Sequence, residues 1–308
     1  MKPEPLLLFA TRSYAYLLER LCRWGAFESG RVEVKEFPDG ERYQRILDDP
    51  CGRRVVLIGG TISDVDTLEL YDLACAMAKH GALSLTMVIP YFGYSTMERA
   101  VHPLEVVTSK TRARLLSAIP QAGTANRVIM IDLHAAGLPH YFEGGIRHVH
   151  LYAKPIVIEA AQELGGKSFV LASTDAGRAK WVESLANDMG VPASFVFKRR
   201  IDGENVEITA VRAHVQKREV VIYDDMVRSG SSLLKAAEAY LEAGASSCSA
   251  VTTHGVFPKD SLERIRESGL IRRMICTDTH PRAVELSGDF LGVFSIANLL
   301  GSYLETLP

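Results

Sequence analysis

The sequence contains no long apolar run. The longest near its start, "PLLLFA", is far too short to span a bilayer, and no cleavage-type signal follows it. An excess of charge of one sign is also missing. A net charge of −2 over 308 residues argues against a nucleic-acid or membrane surface as the main partner. The five cysteines, Cys22, Cys51, Cys75, Cys248 and Cys276, are scattered and make no zinc-like spacing. They read as small core residues in a reducing compartment. No low-complexity linker divides the chain. These absences leave a cytoplasmic enzyme as the expectation, with no nucleic-acid partner and no membrane partner. A hydrophobic content of 47% supplies one large core or two ordinary ones.

What is present is an alternation of strand and helix patterns, which predicts α/β architecture. "RVVLIGG", "SLTMVIPYF" and "RVIMIDLHA" read as strands in the first half, with a helix over "DTLELYDLACAMAKHGA". In the second half "SFVLASTDAG", "ASFVFKRR" and "REVVIYDDM" read as strands, with a helix over "AKWVESLANDMGV". Each half shows strand, helix, strand, then a strand ending in Asp, which predicts an internal duplication. In the first copy the strand matched to "REVVIYDDM" is the one that runs into "IDLHAAGLPHYF", where Asp132 and His134 replace the paired acids. The expected domains are 1–155 and 156–289, with the amphipathic tail of about 290–308 docking on the first.

The richest window is "VVIYDDMVRSGSSLLKAA", residues 220–237. Val220 to Tyr223 suit a strand buried on both faces. Asp224 and Asp225 follow, then a loop with Ser229, Gly230, Ser231 and Ser232, then a helical pattern. Ligands of such strand–helix–strand units bind beyond the carboxyl ends of the strands. A helix N-terminus with hydroxyl donors suits a phosphate. Ionised carboxylates accept several hydrogen bonds and so suit sugar hydroxyls, and a Mg²⁺ nearby would ease their repulsion of the phosphate. The plain alternative is an ordinary loop with Ser229 or Ser231 as helix cap. A phosphatase-type acid pair is disfavoured because the acids are adjacent rather than alternating.

Other windows are ambiguous singly. Asp175 and Gly177 end a strand in "ASTDAG", at the same ligand edge. Lys198, Arg199 and Arg200 precede the polar run "IDGEN", either as a solvated cluster or as cations closing over a polyphosphate. Phe37, Asp39 and Glu41 lie in "FPDGE", either a surface turn or a ring and acceptors clamping a nucleobase. His134 is either a metal ligand or a satisfied interior histidine.

Taken in order, "FPDGE", "VIPYFGY…ER", "DLHA", "STDAG", "KRR", "VVIYDDMVRSGSS" and "THGVF" resemble the ribose-phosphate diphosphokinases, the phosphoribosyl diphosphate (PRPP) synthases, over roughly residues 30–300. The resemblance implies two type I phosphoribosyltransferase-like domains, each with a mainly parallel central sheet. It implies ATP and ribose 5-phosphate as substrates, Mg²⁺ as cofactor, and PRPP and AMP as products. Asp224, Asp225, Arg228, Ser229, Gly230, Ser231 and Ser232 match the family's ribose-5-phosphate loop. His134 and Asp175 match Mg²⁺-binding positions. Lys198 and Arg200 match the catalytic basic pair, and Phe37, Asp39, Glu41 and Arg99 match nucleotide-binding positions. The family's nucleotide loop reaches a neighbouring subunit, which implies a homo-oligomer, a dimer or a dimer-based hexamer. Thr96 stands where the widespread class has an arginine, and "STMER", "SAIPQAG", "VRSG" and "THGVFP" look more like the plant-type second class. That class is independent of phosphate activation and less strict about the nucleotide donor. Two other readings stay open: a PRPP-consuming phosphoribosyltransferase, and a non-catalytic relative that binds true synthases.

Overall fold

The structure, a computed structural model, describes residues 4–202, 205–211 and 215–307, with side chains excepted at Ala176, 196–202 and 205–211. It divides into two units, Met1–Tyr152 with Ala297–Pro308, and Ala153–Ile296. The tail that joins the first unit therefore starts at Ala297. The segment just before it forms a strand of the second sheet.

In the first unit the strands are β1 (Leu7–Ala10), β2 (Glu28–Ser29), β3 (Val32–Glu36), β4 (Arg42–Ile46), β5 (Arg54–Ile58), β6 (Ser84–Ile89), β7 (Asn126–Ile131) and β8 (Arg147–Leu151). Six of them make a parallel sheet in the order β2-β1-β5-β6-β7-β8, while β3 and β4 form an antiparallel hairpin. Its helices are α1 (Ala15–Trp24), α2 (Asp64–Lys79) and α3 (Thr108–Ser117). The central strands are continuous apolar runs, as strands covered on both faces must be. Leu57, Met87 and Met130 pack against Leu70, Leu73 and Met77 of α2.

The second unit repeats the plan. Its strands are β9 (Phe169–Ser173), β10 (Ala193–Ser194), β11 (Val196–Asp202), β12 (Asn205–Val211), β13 (Glu219–Val227), β14 (Ser247–Gly255), β15 (Met274–Thr277) and β16 (Leu291–Phe294). The parallel sheet runs β10-β9-β13-β14-β15-β16, and β11–β12 is again a hairpin. Its helices are α4 (Lys154–Gly165), α5 (Ala179–Met189), α6 (Ser231–Glu242), α7 (Ser261–Glu267) and α8 (Pro281–Glu285). The same order of strands with the same hairpin insertion is the duplication in structural form. It pairs β5 with β13 and β7 with β15.

Three expectations change here. The first-unit counterpart of β13 is β5, which runs into Gly59-Gly60-Thr61, and not β7, which runs into Asp132 and His134. The run "ASFVFKRR" is two strands, because the chain leaves the main sheet after Ser194 and enters the hairpin at Val196. Cys51 is exposed, while Cys248 and Cys276 are buried, and all five thiols are free.

The last helix, α9 (Ala297–Glu305), buries Ala297, Leu300, Gly301 and Leu304 in the first unit. Gly301 is required there, since a Cβ would lie 2.1 Å from the Trp24 ring. A second tie holds the β3–β4 hairpin to the unit. Glu69 of α2 is buried and receives Arg12 N–H at 2.8 Å and Arg42 Nη1 of β4 at 3.0 Å. Truncating one member of such a pair strands the other charge. Glu69→Ala is expected to destabilise the protein by about 3 kcal/mol in urea unfolding. Arg23→Ala, at a solvated pair with Glu19, should leave the midpoint in place.

Candidate active site

β13 carries the acid pair inside the strand, which continues to Val227 rather than stopping at Tyr223. Tyr223 is buried, Asp225 is 3% exposed, and Asp224 is partly buried. Carboxylates so placed need partners. Asp224 Oδ2 accepts from Thr174 Oγ1 at 3.0 Å, and its Oδ1 accepts from Asp225 N–H at 3.0 Å. Asp225 Oδ2 lies 2.6 Å from Arg178 Nη2. Burial, and after it the neighbouring Asp225, push the Asp224 carboxyl up to about 7. At neutral pH the pair is therefore partly protonated. It can donate as well as accept, which matches hydroxyl groups that do both.

The loop after β13 leads into α6 through Gly230, which takes φ +79 and acts as N-cap with no side-chain hydrogen bond. The serines expected as alternative caps do not close the helix. Ser229 Oγ is 3.1 Å from Ser231 Oγ and only 3.4 Å from Ser231 N. Gly230 is sterically required as well, because a Cβ there would meet Ile265 at 2.5 Å. Arg228, Ser229, Ser231 and Ser232 are exposed around this N-terminus. The α6 N-terminus thus presents backbone donors, hydroxyls and a guanidinium without a capping side chain, an arrangement suited to an anion.

The corresponding place in the first unit is closed. α2 is capped by Ser63, which accepts from Asp66 N at 3.1 Å, and Asp64 and Asp66 occupy its first turn. Ser13 Oγ adds a 2.5 Å bond to Asp66 Oδ1. At Gly60 a Cβ would lie 2.3 Å from the Tyr14 hydroxyl. The positive end of this helix is already answered by its own carboxylates.

Asp175 follows β9 at the same carboxyl edge. Its Oδ1 accepts from Gly177 N–H at 2.8 Å, and its carbonyl accepts from Ser173 Oγ at 2.6 Å. In the first unit, Asp132 sits at φ +36, and Leu133 N–H donates to His150 Nε2 at 3.0 Å, fixing the turn that carries His134. Burial pulls His150 below its usual value, which keeps Nε2 an acceptor. The β15 counterpart of this turn is Asp278-Thr279-His280. There His280 Nδ1 accepts from Arg282 N–H at 3.1 Å and caps α8.

Phe37, Asp39 and Glu41 form the tip of the β3–β4 hairpin. Phe37 N–H donates to the Glu41 carbonyl at 2.8 Å, Glu41 N–H to Asp39 Oδ1 at 3.1 Å, and Phe37 is 49% exposed. Arg99 is exposed, with Glu98 Oε1 3.6 Å from its Nε. Lys198 and Arg200 lie at alternate positions of β11, in register with Ile208 and Val206. Their side chains lie outside the described residues. The topology shows that the "FPDGE" turn and the "KRR" strand belong to corresponding hairpins of the two units, a relation their sequences hide. The structure thus brings Asp224, Asp225, Arg228, Ser229, Gly230, Ser231, Ser232 and Asp175 to one sheet edge. It places His134, Phe37, Asp39, Glu41 and Arg99 in the other unit. Sequence reasoning missed Thr174 and Arg178, although both flank Asp175 in "STDAGR".

Residues 6–119 match the N-terminal domain of ribose phosphate pyrophosphokinase, and residues 181–302 match the phosphoribosyl synthetase-associated domain. A ribose-phosphate pyrophosphokinase of Synechococcus elongatus is 32% identical over 96% of this chain and 88% of its own length. The chain belongs to the ribose-phosphate pyrophosphokinase family. The chloroplastic ribose-phosphate pyrophosphokinase 1 of Oryza sativa is 31% identical over 96% of the chain and 74% of its own length. In fold, the chain is similar to the crystal structure of phosphoribosylpyrophosphate synthetase from Mycobacterium smegmatis. The TM-score is 0.84 at 24% identity, covering 98% of both chains. The expected α/β architecture of two duplicated units, each with a mainly parallel central sheet, is the observed one. Among the described residues no helix is long and apolar enough to cross a membrane.

The raised Asp224 has a consequence for stability. Between about pH 4 and pH 7 the folded protein holds a proton that the unfolded chain has released, so stability falls as pH rises through that window. Asp224→Asn removes the penalty. At pH 8 it is expected to be more stable than the parent by roughly 2–4 kcal/mol in urea unfolding. At pH 4 the two should unfold at similar midpoints.

Proposed function

We propose that this pyrophosphokinase transfers the β,γ-diphosphoryl group of MgATP to the C1 hydroxyl of ribose 5-phosphate, giving PRPP and AMP. The observation that carries the reading is the uncapped N-terminus of α6 beside a buried acid pair at the end of β13. One end of that arrangement suits a phosphate and the other suits hydroxyls. Asp224 and Asp225 hold the ribose hydroxyls, and Arg228, Ser229, Gly230, Ser231 and Ser232 hold the 5-phosphate. The C1 oxygen forms a bond to the β-phosphorus, and the bond from that phosphorus to the AMP oxygen breaks. The C1 hydroxyl proton leaves, with no side chain assigned as its base. Such transfer depends on positioning and on neutralising spread charge. Lys198 and Arg200 supply that neutralisation and exclude water that would hydrolyse ATP.

Asp175 and, from the first unit, His134 are assigned to Mg²⁺. Among the described residues no cluster of three or more His, Cys, Asp or Glu side chains forms a metal cage. An ion that keeps several waters and takes its other ligands from phosphates needs few protein ligands, and Asp175 offers it a carboxylate. When bound, Mg²⁺ polarises the transferring group. Phe37, Asp39, Glu41 and Arg99 bind the nucleotide. We assign the exposed Phe37 turn to a neighbouring copy's site, which makes the working protein a homo-oligomer, at least a dimer. Free thiols support a reducing, cytoplasmic setting.

A ³¹P NMR time course with ribose 5-phosphate and MgATP, without inorganic phosphate, should show PRPP and AMP rising together. Activity only after phosphate is added would place the chain in the phosphate-activated class. Silence under both conditions would overturn the synthase reading in favour of a non-catalytic relative. Lys198→Ala is expected to lower kcat by about two to three orders of magnitude while ribose-5-phosphate affinity stays near the parent's. Normal turnover with weakened sugar binding would remove Lys198 from the transfer step.

A further inference from the structure

Arg178 closes the short 3-10 turn Ala176–Arg178 that joins β9 to α5. Its Nη2 stands 2.6 Å from Asp225 Oδ2, and the two side chains are only 23% and 4% exposed. At that depth an ion pair is not a solvated surface contact, and removing one partner strands the other charge. The two acids of the pair are held differently. Asp224 is met by neutral donors, Thr174 Oγ1 on Oδ2 and Asp225 N–H on Oδ1, both at 3.0 Å. Asp225 is met by a cation. Adjacent carboxylates in a shielded site resist carrying two negative charges, and the cation lies on Asp225.

We propose that Arg178 is a positioning residue for the sugar: its guanidinium fixes the orientation and charge of Asp225, so that Asp225 meets a vicinal diol as a preset acceptor. The proposal rests on the reading of Asp224 and Asp225 as the sugar-binding acids. A guanidinium suits the task better than an ammonium, because its planar fork restrains a carboxylate in direction as well as in charge. Preset groups bind more tightly because less ordering is left for the ligand to impose. Asp175 immediately precedes the turn that Arg178 closes, so one short segment links the sugar acids to the residue assigned to the metal. The favourable effect of Arg178 on the ionised form of Asp224 points the same way.

The test uses the full-length protein with Arg178→Gln and Arg178→Lys. Arg178→Gln should raise both the KM and the calorimetric Kd for ribose 5-phosphate about tenfold, a loss of roughly 1.4 kcal/mol. It should leave kcat within about threefold and the KM for ATP unchanged. Arg178→Lys, which keeps the charge but not the planar fork, should recover part of the lost affinity. A fall in kcat with unchanged sugar KM would move Arg178 to the transferring group and overturn the proposal. A lysine variant no better than the glutamine variant would overturn it as well, as would a lowered Tm with unaltered kinetics. A second readout needs no substrate. In protein labelled with ¹³C at the aspartate carboxyl, the Asp224 resonance, assigned with Asp224→Asn, should titrate at least half a pH unit higher in Arg178→Gln and as in the parent in Arg178→Lys. If the parent fails to bind ribose 5-phosphate, the sugar reading fails by itself. An Asp224 titration unmoved by Arg178→Gln refutes the hold of Arg178 on the acid pair in either case.

Discussion

Two carboxylates at the end of a buried strand are costly unless the surrounding chain answers them, and the second unit is organised around that requirement. Asp224 and Asp225 sit within β13, where the strand's apolar half fixes their position and their shielding raises the strength of every contact they make. Thr174 and Arg178, from the segment after the adjacent strand β9, meet one acid each. The helix that begins six residues beyond Asp225 keeps its N-terminus without a capping side chain. Acids and donors therefore lie on one short stretch of chain. A ligand that is a polyol at one end and a phosphate at the other satisfies both.

The duplicated fold shows how one framework was given two uses. Both units order their strands alike and insert a hairpin at the same point. In the first unit the β5–α2 junction is filled by Ser63, Asp66 and Tyr14, so no anion is called for there. The hairpins have diverged as well: one carries an aromatic ring and acceptors at its tip, the other has Lys198 and Arg200 along one strand. Even the Asp-x-His turns after β7 and β15 have parted. His150 supports the turn that carries His134, whereas His280 is used as a helix cap.

Much of this was legible in the residues. The apolar runs located the strands, and the window from Val220 to Ala237 disclosed the acid pair and the donor loop, because the chemistry there is contiguous. The pairing of β5 with β13 was hidden, since "LIGGT" and "IYDDM" share only their apolar start, and the Asp in "IDLHA" drew the match to the wrong strand. Thr174 and Arg178 were hidden for another reason. Their partners lie some 50 residues away in sequence, and only the parallel register of β9 and β13 brings them together. The division of "ASFVFKRR" was invisible because both pieces have strand composition.

The central claim is that the acid pair recognises the sugar's hydroxyls while the loop recognises its phosphate. Calorimetric titration of the protein with ribose 5-phosphate and with 2-deoxyribose 5-phosphate separates the two contributions, since the second ligand keeps the phosphate and lacks one hydroxyl. A hydrogen bond to a charged group contributes about 1.5–3 kcal/mol. The deoxy sugar is therefore expected to bind at least tenfold more weakly, with that difference lost in Asp225→Asn. Equal affinity for the two sugars in the parent protein would contradict the account.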